Sequence, residues 1–392
     1  MKVYKFSLVL LLGLIILSGC EYHVPTVWQP NKRGVPDPVV SSIEPSAAYA
    51  GVNQIKLIGK NFSPIPEENV VYFNTTKVPV VSADSSELRL LAPFVIGDSV
   101  TIKVVVSGAY LIGKYSPYKV VAVSTDYGKL GFVNSITVDA EENLYANIGN
   151  SVLKLAPSGE KTGYATLTFP KASCMRMGPG GYLYLQEYNS YVLYSVAPGG
   201  GSAEQFIRVS KKLKYFDFDK YGNIYAGGRK SGLFVIHPDT TATKTDEYKK
   251  ESINSIRVFD GYVYVALDKK GIYRNQILAD GTLGESEFVF DWEDAGEFSD
   301  ATINDITFSE NGDMYIATNH SDPILVVKSD GNTETLFKGA LLSPVNNFVW
   351  GNAHYLYAAI GGKSAQVSRI IMDRGDPVNH VFVGGAPYYG RQ

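Results

Sequence analysis

The stretch "VNSITVDAEENLYANIGNSVLKLAPSG", Val133–Gly159, decides how this chain is built. An alternating segment from Ser135 leads into the polar turn "DAEEN", and a second segment carries Leu144 and Tyr145. A Gly-Asn turn follows, and "SVLKLAP" completes the unit. Period-two alternation interrupted by Gly, Asn and Asp is the pattern of strand, turn and strand. The same grammar returns in "CMRMGPGGYLYLQE" (from Cys174), "YFDFDKYGNIYAGG" (Tyr215), "SIRVFDGYVYVAL" (Ser255), "DITFSENGDMYIAT" (Asp305) and "NFVWGNAHYLYAAI" (Asn347). The anchor tyrosines are Tyr145, Tyr184, Tyr225, Tyr264, Tyr315 and Tyr357, spaced by 39, 41, 39, 51 and 42 residues.

A period near forty with several short strands per copy predicts propeller blades. Six copies predict a six-bladed β-propeller over residues 119–392, whose blades cannot bury both faces alone and so stand together. Weaker fourth strands are expected at "YATLTF", "EQFIRV", "EFVFDW", "ETLFK" and "HVFVG". The longest interval implies an insertion around Asp291–Ser299, "DWEDAGEFS", expected as an acidic surface loop. Either "YKVVAVS" (Tyr118–Ser124) or the C-terminal "HVFVGGAPYY" would close the ring. Taken together, the six copies resemble NHL-repeat and related six-bladed propellers.

At 392 residues the chain exceeds one ordinary core. With 27 Tyr and 38 Gly, and apolar segments dominated by Val, Ile, Tyr and Thr, it reads as all-β. Residues 39–118 form a unit of their own. Alternation in Gln54–Ile58 and Val100–Val106, with turn residues between, predicts a small β-sandwich. Pro45, Gly51, "GKNF" (Gly59–Phe62), "VYF" (Val71–Phe73) and Pro93 resemble an IPT/TIG domain, an immunoglobulin-like module. The resemblance implies a rigid spacer.

The first residues, "MKVYKFSLVLLLGLIILSGC", have a basic start, an apolar stretch from Leu8 to Leu17 and small residues at the end. That is the pattern of a secretory signal, too short to span a membrane. "LSGC" resembles the lipobox of bacterial lipoproteins. The resemblance implies removal of residues 1–19 and lipidation of Cys20, the chain's partner then being the membrane. Residues 20–38 hold Pro25, Pro30, Pro36 and Pro38 and read as an extended tether. Glu21 follows the cysteine where inner-membrane retention in enteric bacteria uses Asp, so an outer-membrane location in the cell envelope is expected.

Formal net charge is −3, and loss of Lys2 and Lys5 with the leader makes the mature chain more acidic. No nucleic-acid partner is expected from that balance. Two cysteines build no zinc site. Cys174, inside a strand pattern, reads as a buried small hydrophobe.

In a propeller, the loops leading into the inner strands share a face with the loops joining second and third strands. Two sets of residues fall there. Asn134, Ser173, Lys214, Asn254, Asn304 and Asn346 form a column at the start of the inner strands. Its amides suit sugar hydroxyls, a water cluster or a cation. Asn is also an ordinary turn residue that bonds local backbone. The second set is basic: Lys211, Lys212, Lys214, Arg229, Lys230, Lys269 and Lys270, placed on neighbouring blades. It suits a carboxylate or sulfate, with Arg229 able to bind bidentately. Tyr188, Tyr191 and Tyr273 would add stacking where exposed.

Six-bladed propellers include calcium-dependent lactonases and some lyases, which hold metal with carboxylates and Asn. Here Asp305, His320 and Asp322 are the metal-ligand candidates, a thin set for Ca²⁺, which takes several carboxylates. No nucleophile elbow, zinc motif or phosphate loop occurs, and no catalytic residue is assigned. The expected function is a lipid-anchored envelope binding protein for polysaccharide or oligosaccharide. In lipoproteins of Bacteroidetes-type bacteria this arrangement often accompanies polysaccharide uptake. A calcium-dependent, lactonase-like hydrolase and an envelope protein scaffold are the alternatives.

Overall fold

The structure, a computed structural model, describes residues 34–352 and 354–387. The leader, Cys20 and the tether up to residue 33 lie outside the described residues.

The first domain is a two-sheet sandwich. One sheet orders Val39–Glu44, Gln54–Lys60, Glu87–Leu91 and Ser82–Ala83, and the other orders Ala47–Tyr49, Gly113–Val121, Gly97–Val106, Asn69–Phe73 and Thr76–Val78. Alternation supplies the core. Ile55 and Leu57 point inward from one sheet and meet Val71, Phe73, Ile102 and Val104 of the other, all fully buried.

Six sheets follow, antiparallel except where Lys161–Thr166 of the first pairs parallel with Gly201–Ser202 at its edge. Their inner strands are Ser135–Val138, Ala172–Met177, Tyr215–Phe218, Ile253–Phe259, Ile303–Phe308 and Val345–Trp350. Each packs on the next, and the last packs on the first, so the ring is closed. In the first and third sheets the turn between the first two strands is held by one carboxylate. Asp139 Oδ1 accepts the Asn143 amide N–H at 2.8 Å, while Oδ2 accepts the Tyr145 hydroxyl at 2.9 Å and Asn143 Nδ2 at 2.8 Å. Asp219 does the same for Asn223 and Tyr225. Burial, reinforced by the adjacent carboxylate, holds both tyrosine hydroxyls well above their ordinary range.

Two expectations are corrected. The fourth strand of the sixth sheet is not "HVFVG". It is Ser124–Asp126, which pairs antiparallel with Gln366–Ile371. Of the Tyr118–Ser124 stretch, the portion up to Val121 belongs to the sandwich and only Ser124 reaches the closing strand. Phe382 instead bridges Asp373, and Gly385 bridges Ser309. The insertion at Asp291–Ser299 is not a surface loop. Trp292, Ala295 and Phe298 are buried against Ile303 and Ile306, while Glu293, Asp294 and Glu297 face out together with Gly296 and Ser299.

The two domains share packing. Tyr49 of the sandwich is buried with Val123, Trp350 and Leu356. Its hydroxyl donates to Asp373 Oδ2 at 2.9 Å, and Asn53 Nδ2 donates to the Gly375 carbonyl at 2.8 Å.

Candidate functional site

The amide column ties sheets together. Asn254 Nδ2 donates to the Ile303 carbonyl at 2.9 Å, and Asn304 Nδ2 donates to that of Val345 at 2.8 Å. Ser173 Oγ donates to the Lys214 carbonyl at 2.8 Å. The Asn134 carbonyl accepts from Asn347 Nδ2 at 3.3 Å, while its own Nδ2 reaches the Asn147 carbonyl at 3.5 Å. Asn346 lies against Gly361, where a Cβ would come within 2.7 Å of its amide. Asn254 and Asn304 therefore each give one amide donor to the next sheet. Asn254→Ala is expected to lower unfolding free energy by about 1 kcal/mol and leave ligand binding intact, checked by urea denaturation beside a binding isotherm.

The basic residues do assemble. The Lys230 amide N–H donates to the Glu251 carbonyl at 2.7 Å, and Lys270 Nζ pairs with Glu251 Oε1 at 2.9 Å. Glu251 thus joins the loops of the third and fourth sheets. Arg229, Lys230 and Lys269 are exposed and, among the described residues, have no acidic partner within ion-pair distance. Lys214 sits half-buried with Nζ 4.7 Å from the Tyr215 ring centroid, and burial lowers its pKa against the opposing pull of Asp268. On the neighbouring second sheet, Lys171 lies 4.2 Å from the centroid of Tyr188, itself 51% exposed. Arg208 and Lys212 lie 5.3 and 5.8 Å from that of Tyr191. Tyr273 does not join this rim, because it packs between Tyr248 and Phe288.

The metal candidates are not brought together. Asp305 is buried in the channel, where Oδ1 accepts from Ser255 Oγ at 2.5 Å and Oδ2 from the Phe348 amide at 3.2 Å. Oδ1 also accepts from the Ile306 amide at 3.0 Å, and Arg257 Nη2 lies 3.3 Å from Oδ2. The His320 ring lies against Phe298, and Asp322 Oδ1 accepts from the Gly339 amide. Among the described residues no three His, Cys, Asp or Glu lie close enough to hold a metal ion.

Two features escaped sequence reasoning. The channel is fastened by buried ion pairs, Arg176–Asp217 at 3.5 Å and Arg257–Asp305 at 3.3 Å. Charged residues within otherwise apolar inner strands were the available signal. The other is a groove of about 1060 Å³ on the opposite face, lined by Tyr221, Phe259, Asp260, Arg274, Glu310 and Lys328. It is built by turns from three sheets and by Pro387, so no single stretch announces it. Beside it, the Ala386 amide donates to the Phe308 carbonyl, and Ala386 and Pro387 line a small cavity with Arg176, Asp217 and Arg257.

Residues 38–120 match the family model of the IPT/TIG domain. A comparison with curated proteins finds no match. Among solved structures, an auxiliary nutrient binding protein from Bacteroides thetaiotaomicron VPI-5482 is similar at a TM-score of 0.57 and 12% identity, over 88% of this chain and 98% of that one. An auxiliary nutrient binding protein from Bacteroides ovatus ATCC 8483 gives 0.54 and 14%, over 88% and 99%. A luciferin-regenerating enzyme gives 0.54 and 14%, over 68% of this chain and 98% of that one. These likenesses are of fold. The chain is an all-β protein in which an immunoglobulin-like IPT/TIG domain precedes a propeller.

Proposed function

We propose that this chain is a lipid-anchored envelope protein that binds anionic polysaccharide or oligosaccharide on the rim formed by the second, third and fourth propeller sheets. The observation that carries this reading is the trio Arg229, Lys230 and Lys269, exposed on adjoining loops without acidic partners. Arg229 offers a planar fork to a carboxylate or sulfate, and the lysines add point charges. Tyr188 supplies an exposed ring beside Lys171. Lys230 and Lys269 hold φ values of 52° and 56°, in the left-handed region that glycine occupies more cheaply. The nutrient-binding neighbours support a binding role for this two-domain arrangement.

The test is a thermal-shift and calorimetric panel of neutral and anionic polysaccharides, each with and without Ca²⁺. A ligand present at one hundred times its dissociation constant stabilises by about 2.7 kcal/mol. The variant Arg229→Ala/Lys230→Gly/Lys269→Gly/Lys270→Ala respects the backbone at both left-handed positions. It is expected to weaken anionic-glycan binding at least tenfold while the melting temperature holds, and wild-type affinity should fall as salt rises. Unchanged affinity in that variant rejects the rim. A shift with Ca²⁺ alone favours the hydrolase reading, and no shift with any glycan favours the scaffold.

A further inference from the structure

The sandwich carries an apolar tip at the end remote from the propeller. Between the strands Gly97–Val106 and Gly113–Val121, the turn exposes three consecutive apolar residues: Tyr110 (68%), Leu111 (66%) and Ile112 (42%). Val35, 44% exposed, lies beside them, its amide donating to the Gly108 carbonyl. The tip is built, not frayed. Asp37 Oδ1 accepts the amides of Tyr110 and Leu111 at 3.1 and 2.8 Å, and the Asp37 carbonyl accepts Asn61 Nδ2 at 2.8 Å. The Tyr110 ring lies on the backbone of Gly34, where a Cβ would come within 2.2 Å of it.

Direction gives this patch its meaning. The strand that leaves the tip runs nine residues to Val121, where the propeller begins. At about 3.3 Å per residue that is about 30 Å. The described chain begins at Gly34, against the tip. Thirteen residues separate Gly34 from Cys20, a reach of at most about 50 Å. Contiguous exposed apolar surface marks an interaction site. Tyrosine suits the boundary between headgroups and acyl chains, and one anchoring signal is commonly backed by a second.

We propose that Tyr110, Leu111 and Ile112 seat in the lipid surface beside the anchor, so that the sandwich stands on the membrane with the propeller facing away from it. This rests on the lipidation of Cys20 proposed above. Lys114, exposed just behind the tip, would face anionic headgroups. Asp37 Oδ1 accepts both tip amides, which fixes this carboxylate at the base of the turn.

The test uses the full lipidated chain in vesicles of phosphatidylethanolamine and phosphatidylglycerol. Leu111→Cys and, as control, the exposed propeller position Lys363→Cys carry an environment-sensitive fluorophore. Native Cys174 does not compete, being buried with its thiol pushed up to about 11. Spin-labelled lipid is expected to quench the probe at position 111 at least twofold and to leave that at 363 unchanged. Equal, weak quenching at both positions in membrane-bound protein overturns the proposal. The anchor is read separately: Cys20→Ser should move the chain from the membrane to the soluble fraction. Retention of that variant in the membrane fraction would overturn the anchor reading on its own terms.

Discussion

Replacing Asp305 by leucine is expected to lower the unfolding free energy by about 3–5 kcal/mol, because it leaves the Arg257 guanidinium buried without its carboxylate. Arg257 cannot escape by losing its proton. Its remaining bonds, Nε to the Ile306 carbonyl at 2.7 Å and Nη2 to that of Phe348 at 2.9 Å, do not neutralise it. The reverse change, Arg257→Met, should cost less. Asp305 is buried, and burial raises its pKa, so it can answer the loss of its partner by taking up a proton. The sign of the pH dependence follows. A carboxyl whose folded pKa lies above its unfolded value favours the folded state most when protonated. That contribution is complete below the unfolded value of about 3.9 and is lost as pH rises through the folded value. The Arg257→Met protein should therefore lose stability from acid toward neutral pH more steeply than the wild type. Arg257→Met/Asp305→Leu, with neither charge left, should be more stable than Asp305→Leu alone. Urea titrations of the four proteins across that range decide it. A loss under 1 kcal/mol in Asp305→Leu would show that the channel pair does not hold the ring.

The period of the anchor tyrosines was legible because the copies share a strand, turn and strand pattern, which in the first and third copies is closed by purely local hydrogen bonds. Asp139, Asn143 and Tyr145 lie within seven residues of one another, and their hydrogen bonds need nothing from the rest of the chain. The sandwich was legible for the same reason, since alternation such as that of Ile55 and Leu57 points side chains to one face. The closing strand was not. Ser124–Asp126 is three residues long, and its partners at Ser368–Ile370 lie more than two hundred residues away. The amide column was ambiguous because Asn254 offers the same two donors to a sugar hydroxyl or to the Ile303 carbonyl. Only the neighbouring sheet decides between them. The role of Glu251 in joining the loops that carry Lys230 and Lys270 was not legible, because it depends on contacts between sheets.

The insertion at Asp291–Ser299 misled for a different reason, which makes it the sharpest test of the packing. Its acids gave the composition of a surface loop, yet they sit between apolar residues that all turn inward. Glu297 reaches out to Lys338 Nζ at 3.1 Å, and Glu293 and Asp294 are exposed. Trp292 is 1% exposed, packs with Phe298 and Ile303, and donates Nε1–H to the Ala301 carbonyl at 2.9 Å. The segment is thus a wedge that fills the seam between the fourth and fifth sheets. Trp292→Ala is expected to cost about 3–5 kcal/mol, from lost burial together with the cavity left behind. Trp292→Phe should recover part of this, but it leaves the Ala301 carbonyl without its donor. Glu293→Ala and Asp294→Ala should each stay within about 0.5 kcal/mol of the wild type. Urea denaturation followed by circular dichroism measures all four without depending on the tryptophan signal. If Trp292→Ala behaved like the two acid variants, the segment would be a surface loop after all. A large loss would establish instead that the longest gap in the repeat is structural, a plug required to close the ring.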